Sequence, residues 1–220
     1  DYDVFVDCVQ NGEYDILEPF DSFSVAAVTG TASVSLGEKN IGNHTWSYDS
    51  EEPILINEML QLSLNAAGED IELQEIVIKA SGSGDDTEIT AIEIYVDENN
   101  NGKLEENEEM IADSQPAYLV NDGLTTLSFS DFTLEKDVVV NILIVYVMNQ
   151  ETSEGDFSLT VQSISGMGAV SQKPVVFSGL PLNSGVKTVL PEKSCFGELI
   201  LEFEPNPTYK EQRTETKMSG

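Results

Sequence analysis

One acidic segment of this sequence has a residue spacing that points to a defined chemistry. Residues 97–108 read DENNNGKLEENE. Calcium loops of the EF-hand type supply oxygen ligands from positions 1, 3, 5, 7, 9 and 12 and require Gly at position 6. Gly102 stands at position 6, and the ligand positions hold Asp97, Asn99, Asn101, Lys103 (through its carbonyl), Glu105 (directly or through water) and Glu108 (as a bidentate carboxylate). The segment is therefore predicted to bind Ca²⁺.

The alternative interpretation of this segment is a turn that binds nothing. Asn and Gly tolerate positive φ and are common in hairpin turns. A turn needs an Asn-Gly pair only once, however, and has no use for carboxylates at Glu105 and Glu108. The spacing favours calcium over the empty turn.

The residues on both sides of the loop predict strands. Ile92, Ile94 and Val96 alternate with more polar residues before it, and the apolar residues 110–112 after it are too few for a helix. The loop would then join two strands, unlike the helix-loop-helix sensors that open on binding calcium. We expect the metal to act as a fixed structural clip.

The charge of the chain excludes one class of partner. Forty acidic residues against ten basic ones give a formal net charge of −30. Nucleic-acid binding requires clustered Lys and Arg, so no nucleic-acid partner is expected. The apolar fraction of 40% is sufficient for a folded core. Repulsion between the many carboxylates should make cations stabilising for the fold and for any assembly.

The compartment is predicted to be extracellular, or the cell surface. No apolar run is long enough for a membrane helix, and the longest, residues 138–148, is interrupted by Asn141 and is typical of a buried strand. The sequence begins with Asp1, which indicates removal of a leading segment on secretion. Cys8 and Cys195 could then form a disulfide, pair with neighbouring subunits, or remain buried free thiols. The sequon at Asn43 is a candidate glycosylation site.

Period-two alternation along the chain predicts an all-β fold, specifically an antiparallel β-sandwich of the Ig-like or jelly-roll-like kind. A shift in apolar parity at Gln74-Glu75 predicts a β-bulge. We divide the chain into an N-terminal strand or extension at residues 1–21, a β-sandwich domain at 22–204 and a polar tail at 205–220. The tail has little to bury.

Several turn motifs recur in a familiar order over residues 25–190. They read Leu60-Gln-Leu-Ser-Leu-x-Ala-x-Gly-Glu-Asp70, Ala80-Ser-Gly-Ser-Gly-Asp-Asp86, Ile94-Tyr-Val-Asp-x-Asn-x-Asn-Gly102 and Ser153-Glu-Gly-Asp156. This order resembles a calcium-binding β-sandwich module of bacterial and archaeal secreted and cell-surface proteins. The resemblance implies a structural module outside the cell with calcium in its Asp-x-Asn-x-Asn-Gly loop, and it implies no activity.

A single module with additional ends favours a polymerising subunit. Residues 1–9 are a candidate donor strand that would enter the sheet of the next copy, because strand addition combines main-chain pairing with side-chain pockets. The inserted face would carry Tyr2, Val4, Val6 and Cys8. An ordinary first strand of the same domain is the alternative. We thus predict a homopolymeric surface filament, tube or layer stabilised by Ca²⁺.

An enzyme is not expected from this inventory. His44 and Arg213 are the only His and Arg of the sequence, so neither a Ser-His-Asp triad nor a His-ligated zinc site can be built with supporting partners. The alternative function is a calcium-dependent adhesin or glycan-binding module that recognises cell-surface glycans. Trp46 and Tyr48 would be its stacking faces.

Overall fold

A computed structural model of the protein describes residues 29–47, 54–149 and 154–190. These residues form thirteen strands and one 3₁₀ turn at Asp86–Glu88, with no α-helix among them. The strands are β1 Thr31–Leu36, β2 His44–Ser47, β3 Ile54–Ala67, β4 Ile71–Gly82, β5 Ile89–Val96, β6 Met110–Ser114, β7 Leu124–Ser128, β8 Thr133–Leu134, β9 Val139–Asn149, β10 Gly155–Gly168, β11 Pro174–Ser178, β12 Leu182–Asn183 and β13 Lys187–Leu190. The predicted all-β class is confirmed.

The strands form one connected sheet in the order β2-β13-β10-β11-β1-β3-β9-β5-β6. Strand β4 pairs along the other edge of β10 and carries β7 and β8, and β12 also pairs with β10. Two pairings are parallel, β1 with β11 and β13 with β2, so the sheet is mixed and not antiparallel throughout. Both pairings join strands that are far apart in sequence. A short hairpin connection would require antiparallel pairing, and these strands have none between them.

The core is one cluster of buried side chains. They come from two arms of the sheet: one arm is β1, β3, β9, β5 and β6, and the other is β11, β10 and β4 with the short strands beside them. Residues 142–146 of β9 are all buried, because this strand lies between β3 and β5. The apolar run predicted as a buried strand at 138–148 is thus β9. On the other arm, Phe157, Leu159 and Val161 of β10 enter the same cluster at period two.

The predicted bulge lies in β4 and is confirmed. Ser165 pairs with Glu75 and Gly166 with Leu73, so that Gln74 is the additional residue. Gln74 and Glu75 are both exposed, and the buried positions resume at Ile76. The bulge allows one strand to keep its apolar residues on the core face along its whole length.

Some predictions lie outside the described residues. These are the donor strand at 1–9, the cysteines Cys8 and Cys195, the tail at 205–220 and the residue Tyr48. No helix long and apolar enough to span a bilayer occurs in the part of the chain that the structure describes.

Candidate metal centre

The loop at residues 97–108 connects two paired strands, as its flanking sequence predicts. β5 and β6 are antiparallel neighbours, with Ile94 opposite Ala112. At the mouth of the loop the Val96 N–H donates to the Glu109 carbonyl at 2.9 Å. The Asp97 N–H donates to the Asn141 carbonyl of β9 at 2.9 Å. Both ends of the loop are therefore fixed to the sheet.

Asp97 organises the first half of the loop. Its carboxylate accepts hydrogen bonds from the backbone N–H groups of Asn101, at 3.1 Å, and Gly102, at 3.0 Å. The chain turns through positive φ at Asn100 and at Gly102, conformations that Asn and Gly adopt at little cost. Gly102 is also required sterically, because a Cβ there would lie 2.6 Å from the Lys39 carbonyl oxygen.

The later ligand positions converge on the same turn. Glu105 accepts hydrogen bonds from the side-chain amides of Asn99, at 3.0 Å, and Asn101, at 2.8 Å. Glu108 accepts one from the Glu105 N–H at 3.2 Å. Lys103 lies within the turn and donates its N–H to Asn101 Oδ1 at 2.7 Å. The structure thus brings the six predicted residues into one loop, linked mostly by short-range hydrogen bonds.

Glu108 provides the test of whether a cation fits this loop. The residue is only 8% exposed, and its buried Oε1 has no hydrogen-bond partner. Burial, followed by the charges of Asp97, Glu105 and Glu98, raises the pKa of Glu108. No Lys or Arg of the described ranges forms an ion pair with these carboxylates. A hard cation would supply the positive charge and the missing partner, so the donor set fits calcium.

The ligand geometry is nevertheless not assembled in the form that a metal requires. Among residues 29–47, 54–149 and 154–190, no three His, Cys, Asp or Glu side chains are close enough together to hold an ion. The predicted set depends on amide and carbonyl oxygens as well as carboxylates. The amides of Asn99 and Asn101 currently direct their nitrogen atoms at Glu105. Binding would require these amides to present oxygen instead.

Two residues of β3 contact the loop and were not identified from the sequence. Gln61 donates from Nε2 to Asp97 Oδ2 at 2.6 Å, and Glu58 accepts from the Leu104 N–H at 3.1 Å. The alternation of Leu60, Leu62 and Leu64 predicts that residues between them face solvent. Gln61 is instead buried, because the loop and the turn at residues 37–40 cover it.

The other predicted site residues lie elsewhere in the sheet. Asn43 is exposed immediately before β2, and its Oδ1 accepts a hydrogen bond from the Val186 N–H at 2.8 Å. Trp46 is partly buried against the core. A tryptophan packed in this way offers less of its face for stacking on a sugar. Among the described residues, Asn43 and Trp46 therefore give no feature that favours the glycan-binding alternative.

Comparison with known proteins leaves the family open. No protein-family model matches the chain, and no curated protein matches it. A solved complex of a CaDoc0917 variant with CaCohA2 at pH 5.5 contains a chain similar at TM-score 0.31 and 16% identity, over 74% of this chain and 100% of that one. A family 123 glycoside hydrolase from Clostridium perfringens is similar at TM-score 0.30 and 12% identity, over 74% of this chain and 27% of that one. Similarity at this level assigns neither family nor function.

Proposed function

We propose that the protein is an extracellular structural subunit whose β-sandwich is clipped by Ca²⁺ at residues 97–108. The observation that carries the calcium proposal is the buried, unpartnered Oε1 of Glu108 among the charges of Asp97 and Glu105. The ligands would be Asp97, Asn99, Asn101, Lys103 through its carbonyl, Glu105 and Glu108. A bound divalent cation would relieve carboxylate repulsion and fix the direction of the β5–β6 hairpin.

The sandwich interpretation rests on how the two arms of the sheet are joined. Strand β11 pairs with β10 on one side and with β1 on the other. Side chains of β3, β5 and β9 share one core with side chains of β4 and β10. Two layers that face each other across this core would bury both sets, as in sandwich folds.

The assembly part of the proposal rests on sequence. Residues 1–9 alternate in the manner of a strand and would add to a sheet edge of a neighbouring copy. Copies of a chain with net charge −30 repel each other. Divalent cations would therefore favour a homopolymer in two ways, by completing the loop and by screening contacts between subunits.

A calcium titration of thermal stability tests the metal site. Extracellular calcium modules bind at about 10⁻⁴ to 10⁻³ M, so about 10 mM Ca²⁺ should stabilise by up to about 2.7 kcal/mol. The melting temperature should then rise by up to about 5–10 °C relative to chelator. Mg²⁺ at the same concentration is the control for charge screening. It carries the same charge as Ca²⁺ but fits such a loop poorly.

Matched variants assign this effect to the loop. Glu108→Gln should abolish the calcium-specific increase. Glu106→Gln should retain the calcium-specific increase. This substitution removes the same charge, but at an exposed position outside the ligand set. Equal stabilisation by Ca²⁺ and Mg²⁺ in all three proteins would reject the calcium site and leave only screening.

Electron microscopy tests the assembly. The purified chain, with and without residues 1–9, is imaged by negative stain at millimolar Ca²⁺. Filaments, tubes or layers formed only by the complete chain would support donor-strand exchange. Monodisperse particles from both proteins would reject it, and a glycan array would then examine the adhesin alternative.

A further inference from the structure

Gln61 is a buried polar residue in the middle of strand β3. It lies in β3 between the buried Leu60 and Leu62 and is itself only 1% exposed. Burying an amide is unfavourable unless its donors and acceptors are hydrogen-bonded. All three polar contacts of this side chain are made to other segments of the chain.

The amide nitrogen of Gln61 is directed into the proposed calcium loop. It donates to Asp97 Oδ2 at 2.6 Å and to Asn100 Oδ1 at 2.9 Å. Asp97 occupies the first ligand position, and two backbone N–H groups also bond its carboxylate. Gln61 therefore completes the set of donors that fixes the orientation of this carboxylate. A residue that orients a ligand in this way acts on metal affinity without touching the metal.

The carbonyl side of Gln61 is directed at the turn formed by residues 37–40, which follows β1. Its Oε1 accepts from the Lys39 N–H at 2.7 Å, and its backbone N–H donates to Asn40 Oδ1 at 3.0 Å. The Gly37 N–H donates to the Gln61 carbonyl at 2.8 Å. One side chain thus joins the turn to the loop, and the two segments also meet directly where Gly102 lies against Lys39.

We infer that Gln61 is a positioning residue for the calcium site and couples metal binding to the 37–40 turn. This inference rests on the proposed function. Calcium would hold Asp97 in a single orientation, which would keep its Oδ2 within hydrogen-bonding distance of Gln61 Nε2. The Gln61 amide, fixed at one end, would then hold the Lys39 N–H more firmly at the other. The metal would in this way stabilise the end of β1 as well as its own hairpin.

Calorimetric titration with Ca²⁺ tests the positioning role. Gln61→Met retains the length of the side chain and removes its donors and acceptor, so calcium affinity should fall about tenfold. Gln74→Met makes the same substitution at the exposed bulge of β4 and should bind as the wild type does. Glu69→Gln, which disturbs contacts remote from the loop, should lower the melting temperature and leave calcium affinity unchanged.

Amide hydrogen exchange tests the coupling, and its wild-type arm does not depend on folding of the variant. In the wild type, Ca²⁺ should slow exchange at the Lys39 N–H relative to chelator, and in Gln61→Met this slowing should be lost. The inference is wrong if the exchange rate of the Lys39 N–H does not change with calcium, or if the calcium affinity of Gln61→Met is within twofold of the wild type. The proposed calcium site would stand in either case. A wild type that binds no calcium overturns the proposed function and this inference together.

Discussion

Two oxygen-rich clusters of this protein differ in whether they contain a positively charged side chain. The fully buried Lys187 donates from Nζ to the carbonyls of Ile41 and Gly42, and to that of Ser184 at 3.3 Å. The loop at residues 97–108 gathers the carboxylates of Glu105 and Glu108 and the amides of Asn99 and Asn101, and none of the described Lys residues forms an ion pair with these carboxylates. One cluster carries its cation as a covalent part of the chain, and the other, as proposed here, would recruit one.

The difference concerns what each cluster can be used for. An internal lysine is present under all ionic conditions, although burial lowers the pKa of Lys187 to about 8. A recruited cation stabilises only where its concentration approaches the dissociation constant. The proposed calcium loop would therefore make part of the stability depend on the surroundings, as the proposed assembly outside the cell would require.

Lys187→Met breaks the internal cluster and should have the largest effect. Three carbonyl groups lose their charged donor, which should destabilise the fold by about 2–3 kcal/mol. The melting temperature should fall by about 5–10 °C, by the same amount with calcium and with chelator. The exposed Lys79→Met is the control for the lost charge. A decrease no larger than that of Lys79→Met would show that the cluster does not need its lysine.

Glu69→Gln examines a carboxylate that needs no cation. Glu69 accepts from the N–H groups of Gly30, Val170 and Ser171 at 2.7–2.9 Å. Hydrogen bonds from Ser171, with those from Gly30 and Val170, lower the pKa of Glu69 to about 2. The variant should melt several degrees lower at neutral pH, because an amide nitrogen cannot accept these bonds.

The pH dependence of Glu69→Gln follows from the direction of that pKa shift. The stabilisation by Glu69 is complete above its ordinary pKa of 4.5 and is lost as the pH falls towards 2. The melting temperatures of wild type and variant should therefore converge below pH 4.5, whereas the exposed Glu72→Gln should follow the wild type throughout. A difference that grows on acidification would contradict this assignment.

The sequence predicts local features of the site better than its surroundings. The strands on both sides of the loop and the bulge at Gln74 both follow from residues close together in the chain. The parallel pairing of β1 with β11 joins residues that no local pattern connects. Gln61 was missed for the same reason, since its burial depends on Lys39 and Asp97, which lie far from it in sequence. Side-chain periodicity shows which face a residue occupies and not which loop covers it.

Asp86→Asn should produce the smallest change, and a stabilising one. Asp86 is 1% exposed; its Oδ2 accepts from the Asp122 N–H at 3.0 Å, while its buried Oδ1 has no partner. Burial, and then the charges of Asp122 and Asp85, raise the pKa of Asp86 to about 6. The amide retains an acceptor for the Asp122 N–H and removes the charge. Stability near pH 7 should increase by on the order of 1 kcal/mol after allowing for solvent screening.

This gain should disappear on acidification. As the pH falls, a carboxyl whose pKa is raised in the fold binds its proton in the folded chain before it does so in the unfolded chain. The wild type therefore gains stability as the pH falls from about 6 towards the ordinary 3.8. Melting curves of wild type, Asp86→Asn and the exposed Asp113→Asn between pH 4 and 7 measure it. A destabilised Asp86→Asn in calcium, but not in chelator, would contradict the prediction. Asp86 would then resemble Glu108, a buried carboxylate whose unpartnered oxygen is proposed to bind a recruited cation.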